Sequence, residues 1–425
     1  MNKLFFMFKK DEQEGQDRFE VVVIGGGPAG MIAAARAAEL GKKVVLIEKN
    51  KSLGKKLLIT GKGRANITQA EFSKQEFVTR IGKNGKFLFS ALSAYGPKEV
   101  IEFFNKMGLK TKVERGKRVF PVSDRSKDAL NVLIKNLKRN NVSLILGEQV
   151  LGFQAKNKKI EHINLKNRKI FADSFILCTG GKSYPETGST GEGYNFAKSL
   201  GHTIVELAPA LTPLKTKENW VKGLQGLSLK NARVSVFQGG KKQDERFGEM
   251  LFTHFGLSGP IILDLSKSIG ELLKKGETIL ELDLKPALSF PTLDKRLQRD
   301  FEESRNRDFI NYLPDLLPQK MVNLAVTMSG IDPRKKLREI TKEERKNLLH
   351  FLKELKITVI EPMGYEFAIV TKGGVCLKEV DSKTMKSKII SNLSLAGEVL
   401  DLDGPTGGFN LQICWSTGYA AGNHV

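Results

Sequence analysis

A glycine-rich loop, Gly25-Gly26-Gly27-Pro28-Ala29-Gly30, constrains what this chain can fold into more than any other feature. Before it, residues 19–24 read FEVVVI, the composition of a strand buried in a parallel sheet. After it, MIAAARAAEL predicts a helix that stops at Gly41, and KKVVLIE predicts a second strand ending on Glu48. Gly25 permits a tight turn off the strand, and Gly27 lets the backbone approach a phosphate with no Cβ in the way. Gly30 allows the helix to lie close to the sheet. The helix that starts at Pro28 and Ala29 offers the free N–H groups of its first turn, from Ala29 on, and the positive end of a dipole to an anion. Glu48, some ~20 residues on, is placed to accept hydrogen bonds from a ribose diol, with Lys49 beside it as a further expected contact. Strand, loop, helix, strand and acid in that order predict a dinucleotide-binding unit, but they do not separate FAD from NAD.

Three further segments bear on that choice. Residues 55–68, KKLLITGKGRANIT, form a basic glycine-rich loop in which Arg64, Asn66 and Thr68 offer side-chain donors to a pyrophosphate or a flavin edge. Residues 174–178 form an apolar strand broken by Thr179-Gly180-Gly181, as expected of a strand whose end lies beside a bound dinucleotide. Near the C-terminus an apolar run over 393–396 enters Gly397-Glu398, followed by Asp401, Gly404, Gly407 and Gly408 and a helix from about Asn410. A site built from both ends of the chain suits a long two-headed ligand, which points to FAD. The last helix would aim its N-terminus at the flavin's pyrimidine end, where negative charge develops on reduction.

At these residues the chain resembles the BaiN/RdsA type of NAD(P)/FAD-dependent oxidoreductases, the aminoacetone oxidase-like flavoproteins. The resemblance runs from about Glu20 through VVVIGGGPAG, TGKGRANIT, GKRVFPVSDRS, CTGGKSYPETGSTGEGYNFAKSLGH, GEMLFTHFGLSGP, TKGGV and AGEVLDLDGPTGGFNLQ. It implies an α/β fold: a split FAD-binding Rossmann-like domain of the glutathione-reductase and fumarate-reductase type, carrying an inserted β-rich and helical domain. It further implies that Gly25, Gly27 and Gly30 hold the pyrophosphate, Glu48 the adenosine ribose, and the backbone around Val150 the adenine. Arg64, Asn66 and Thr68 would lie near the ribityl chain or flavin, with Gly397, Glu398, Gly408, Asn410, Leu411 and Gln412 closing the other side. The family commonly has Cys where this chain has Ala65, and Tyr where it has Phe409, so a thiol or phenol role at those positions does not carry over.

The domain expectation is a tail over 1–18, FAD-binding parts over 19–201 and 362–425, and an insertion over 202–361. Within the insertion, residues 202–290 are expected to be β-rich, because VSVF before Gly239-Gly240 and ETILELDL alternate like strands. Residues 291–355 are charged and helical in pattern. No second glycine fingerprint follows a strand there. Either NAD(P)H docks transiently in the open substrate cleft, or electrons arrive another way.

For chemistry, a flavin needs only an oriented substrate and a proton source. Tyr184 and His254 are the candidate proton donors, weighed against a Pro/Gly turn and a junction histidine. Cys178 and Cys414 read as small buried residues, His202 as a helix cap, and no metal site is expected.

The surplus of 69 Lys+Arg over 47 Asp+Glu, a net +22, is spread along the chain. That spread argues against a dedicated nucleic-acid surface without excluding one. Without a span-length apolar run, a signal segment or paired cysteines, a cytoplasmic protein with no membrane association is expected. The leading reading is an FAD-dependent reductase or oxidase of a small organic molecule, of undetermined oligomeric state. An FAD-dependent RNA-modifying or RNA-associated protein and a non-catalytic flavin-binding module are the alternatives.

Overall fold

A computed structural model describes residues 17–425 of the chain. Its first strand, Asp17–Ile24, takes in Asp17 and Arg18, two residues expected in a tail; residues 1–16 lie outside the described residues. This strand is central in a seven-stranded sheet. On one side come Val44–Glu48 and Ser143–Leu146, on the other Lys169–Leu177, all parallel to it. Leu393–Leu395 lies parallel along the far half of Lys169–Leu177, and an antiparallel pair, Lys159–Asn164 and Gly152–Lys156, extends the sheet beyond its near half. Val21, Val22, Val23, Val44, Val45 and Leu46 are all buried, as required of strands covered on both faces.

The helix Pro28–Glu39 covers one face, and the C-terminal helix Phe409–Asn423 lies across it. Gly418 and Gly422, one turn apart, make that approach possible. A Cβ on either would sit 2.4 Å from the Ala29 carbonyl oxygen or 2.3 Å from that of Ala33. Two bare positions on one helix face thus bind the end of the chain to its beginning. Phe409 packs its ring 4.8 Å from Phe77.

The inserted domain has its own apolar core. It is a closed barrel of Leu214–Thr216, Gly256–Ser258, Lys241–Phe252, Ser228–Gln238, Thr278–Asp283 and Leu355–Pro362. The helix Pro260–Leu273 packs against it, and a helical lobe runs from Phe290 to Lys353. Both strands expected from alternation are present, extended to Ser228–Gln238 and placed at Thr278–Asp283. Barrel closure was not legible, because the closing strands Leu214–Thr216 and Leu355–Pro362 are far apart in sequence. Residues Ile204–Ala210, expected in the insertion, pair instead with Val370–Val375 in a two-stranded ribbon carrying both connections. His202 lies just before it; its amide closes the helix Glu192–Ser199 by donating to the Ala197 carbonyl. Its buried ring does more than cap, with Nδ1 3.1 Å from Glu379 Oε2 and Nε2 2.9 Å from Ser387 Oγ.

Candidate functional site

A groove opens at the C-terminal ends of Asp17–Ile24, Val44–Glu48 and Lys169–Leu177, where ligands of open α/β sheets sit. Its floor is the glycine loop, and the three fingerprint glycines serve different ends. Gly25 has φ +106, and a Cβ there would lie 2.4 Å from the Cys178 carbonyl oxygen. A Cβ on Gly30 would lie 1.9 Å from the Gly25 carbonyl oxygen. The protein's own packing requires both. Gly27 is different: its φ of −81 suits any residue, and a Cβ would meet nothing within 4 Å. The bare backbone at the start of Pro28–Glu39 therefore fits close approach of a phosphate, as a bound dinucleotide would need.

At one end of the groove the Glu48 carboxylate is fixed by three donors. Oε2 accepts from the Gly26 amide, and Oε1 accepts from the amide and side chain of Asn50, each at 2.8 Å. Lys49 Nζ donates to Thr190 Oγ1 at 2.7 Å and pairs with Glu192 at 2.9 Å, so it struts the wall formed by residues 187–192. Val150, Thr179, Gly180, Gly397 and Glu398 also line the groove, together with Gly25, Gly27, Pro28 and Ala29. Glu398 Oε1 accepts from the Thr371 amide at 2.8 Å and from Ser183 Oγ at 3.1 Å, while Oε2 pairs with Lys56 at 2.9 Å. Lys56 Nζ also donates to Ser183 Oγ at 2.6 Å. Sequence reasoning missed Lys56 as a site residue, since one lysine among many gives no local signal. Its place two residues into the helix after the second strand was the only clue.

Other expected contacts do not line this groove. Arg64 pairs with Glu114 at 2.5 Å and Asp124 at 2.6 Å and lies 4.1 Å over the Phe120 ring; those two carboxylates raise the affinity of its guanidinium for its proton. The Thr68 hydroxyl donates to Gln412 Oε1, and Gln412 Nε2 donates to the Tyr95 carbonyl and to Ser416 Oγ. Asn410 Oδ1 accepts from the Gly404 amide at 2.8 Å and its Nδ2 donates back to the Gly404 carbonyl at 2.9 Å. Gly408, with φ +102, backs onto Thr68, where a Cβ would come within 2.5 Å of the carbonyl. Asn66 Oδ1 is buried without a hydrogen-bond partner, and Leu411 is half-buried. Residues 66–68 and 404–412 are thus brought together, yet Thr68, Asn410 and Gln412 direct their polar groups into the protein.

Tyr184 and His254 stand outside the groove wall but flank one loop, residues 363–367. The Tyr184 amide donates to the Tyr365 carbonyl at 2.9 Å, and Tyr184 takes a left-handed φ of 52. Burial and then Glu186 raise its phenol, which keeps it protonated. His254 is exposed, its ring edge-on to Phe255 at 4.8 Å, and Phe255 lies 5.9 Å from Phe367. Cys178 and Cys414 are free thiols in the groove wall; burial pushes both up, Cys414 to about 12, so neither is a reactive thiolate near neutrality.

The chain that carries this glycine-floored groove matches a known family over residues 19–424. The chain belongs to the HI0933-like protein Rossmann domain family. It is 31% identical to the 3-dehydro-bile acid delta(4,6)-reductase of Clostridium scindens, covering 94% of this chain and 97% of that protein. It is 28% identical to the ribosomal RNA dihydrouridine synthase of Escherichia coli, covering 95% and 97% respectively. In fold it is similar to a flavocytochrome c3 fumarate reductase, with TM-score 0.53 and 15% identity over 97% of this chain and 78% of that one. It is equally similar to the 3-ketosteroid delta1-dehydrogenase of Sterolibacterium denitrificans, with TM-score 0.53 and 14% identity over 96% and 99%. The expected fold class therefore holds, and an oxidoreductase of the FAD-binding Rossmann type is supported. No helix among the described residues is long and apolar enough to cross a membrane.

Proposed function

We propose that this protein is an FAD-dependent reductase that saturates a C=C bond conjugated to a carbonyl, in a small organic acceptor, with NAD(P)H as a transient electron donor. FAD, when bound, supplies the hydride chemistry. The chain's own work is to hold the cofactor, exclude water and deliver one proton. The observation that carries the reading is Gly27, whose bare, open backbone at a helix start the protein's own packing does not require. Gly26, Asn50 and Glu48 then fix one end of the groove, and Lys56 with Glu398 fixes the other.

The choice of reaction draws on the curated relatives. One name specifies reduction of the 4,6 unsaturation of a 3-dehydro-bile acid and the other the making of dihydrouridine in ribosomal RNA. Both add two hydrogens across a C=C bond conjugated to a carbonyl. In such a reduction hydride reaches the β-carbon, and a proton from the protein reaches the α-carbon. Tyr184 and His254 are the proposed proton donors, since both flank residues 363–367 at the domain junction. A second reading, reduction of a base within RNA, is favoured by the name of the Escherichia coli relative, and the spread net charge of +22 does not exclude it.

Anaerobic mixing of the FAD-loaded protein with NADH or NADPH should bleach the flavin, and a panel of enones should restore its colour faster than buffer alone. Reoxidation by RNA fragments but by no enone would select the second reading. A protein that binds no FAD, or whose reduced flavin responds to neither acceptor class, would remove both.

A further inference from the structure

The helix Pro260–Leu273 and the lysine that follows it carry four charged side chains on one stripe, Asp264, Lys267, Glu271 and Lys274, spaced to share a face. The first two bond to the FAD-binding part and the last two to the ribbon that carries the connections between the domains. Asp264 accepts from the Thr406 amide at 2.8 Å and from Thr406 Oγ1 at 3.2 Å. Lys267 pairs with the buried Asp403 at 2.7 Å, Glu271 with Lys372 at 2.8 Å and Lys274 with Glu206 at 3.5 Å. The first two partners lie in residues 401–408, the loop leading into the C-terminal helix. That loop is also pinned from its own domain, by Asn84 donating to the Asp401 carbonyl at 2.7 Å and by Asn410 bonding Gly404.

We infer that the inserted domain latches the cofactor-side loop through Asp264 and Lys267, and that this latch sets how tightly the protein holds FAD. The inference rests on the FAD reading above. The two domains have separate apolar cores, and the helix shares only Leu263 with the small apolar cluster at the junction. Directional polar bonds therefore carry much of the link between the insertion and this loop. The helix is a stiff transmitter: its N-cap, Gly259, has φ +93 and is seated against the barrel strand Lys241–Phe252, where a Cβ would lie 2.7 Å from Met250 Cα. Burial raises the Asp264 carboxyl, and the two Thr406 donors and then Arg246 oppose that shift. A displacement of the barrel away from the sheet breaks these bonds first and frees the loop. Asp264, Lys267 and Thr406 are positioning residues, acting on the cofactor through the loop.

The test is FAD titration of the full-length apoprotein by flavin fluorescence, alongside thermal melting of the same samples. Asp264→Ala removes both bonds to Thr406 and should raise the FAD Kd by about tenfold, whereas Thr406→Val keeps the amide bond, loses only the hydroxyl one and should raise it about threefold. The double variant should be no worse than Asp264→Ala alone, because that change already removes the hydroxyl bond that Thr406→Val breaks. Thr406→Ser keeps both donors and should bind FAD like the parent, and Lys267→Met should weaken binding a few-fold. An unchanged Kd in Asp264→Ala or Thr406→Val, or fully additive losses in the double variant, overturns the latch. If Asp264→Ala does not fold, the contrast between Thr406→Val and Thr406→Ser decides alone. Failure of the parent protein to bind FAD would instead overturn the FAD reading.

Discussion

The two halves of the site are built on opposite plans. Around the glycine loop, the groove is walled by backbone and by one carboxylate whose partners lie within residues 26–50. Around residues 401–412, the same fold relies on side chains from Thr68, Asn84, Asp264 and Lys267 and on the Tyr95 carbonyl, gathered from across the chain and satisfied within the protein. The first half is a local motif that presents bare backbone to a ligand. The second is a tertiary assembly whose polar atoms hold the loop. Changes in the first half should therefore act on affinity, and changes in the second on stability and, through it, on affinity.

The sharpest way to break that comparison is at Gly30, the fingerprint position required by packing. Gly30→Val places a Cβ against the Gly25 carbonyl and should cost about 3 kcal/mol or more, seen as a large fall in the denaturation midpoint with FAD binding lost as a consequence. In the second half, Gln412→Leu strands the buried Thr68 hydroxyl, while the Tyr95 carbonyl keeps its bond from Ser416, and should cost about 1 to 3 kcal/mol in urea denaturation, with FAD affinity falling only as far as stability does. Lys56→Met leaves Glu398 with its Ser183 and Thr371 donors and should cost about 1 kcal/mol, with a measurable loss of FAD affinity because both residues line the groove.

The smallest effect concerns pH. Burial lowers the His202 imidazole below its ordinary value, against the opposing pull of Glu379. The unfolded chain therefore binds a proton at His202 before the folded one does, so stability falls as pH drops from about 6.5 toward the lowered folded value. The contribution is at most about 1.4 kcal/mol per pH unit for one proton. A pH series of thermal melts should show this slope in the parent and lose it in His202→Gln.

Legibility in the sequence followed the same division. Gly25, Gly27, Glu48, the Thr179-Gly180 break and Gly397-Glu398 could be placed because each belongs to a strand-end pattern complete within a few residues. The close helix crossing at Gly418 and Gly422 could not, since its partners Ala29 and Ala33 lie at the other end of the chain. Arg64 illustrates the cost of reading donors locally. An arginine in a glycine loop suggests an anion-binding role, but Glu114 and Asp124, delivered by a separate small sheet and the turn after it, occupy it instead. Asp264 and Lys267 gave no signal either, because their meaning depends on which loop the barrel is laid against.

The most direct test of the central claim is Gly27→Ala. Apart from Gly27 and its chain neighbours, no atom of the described residues lies within 4 Å of the added methyl, and the local backbone accepts alanine. The apoprotein should melt within about 0.5 kcal/mol of the parent, while FAD affinity drops by at least about tenfold as the methyl meets the phosphates. Unchanged FAD binding in Gly27→Ala would contradict the placement of the cofactor in this groove.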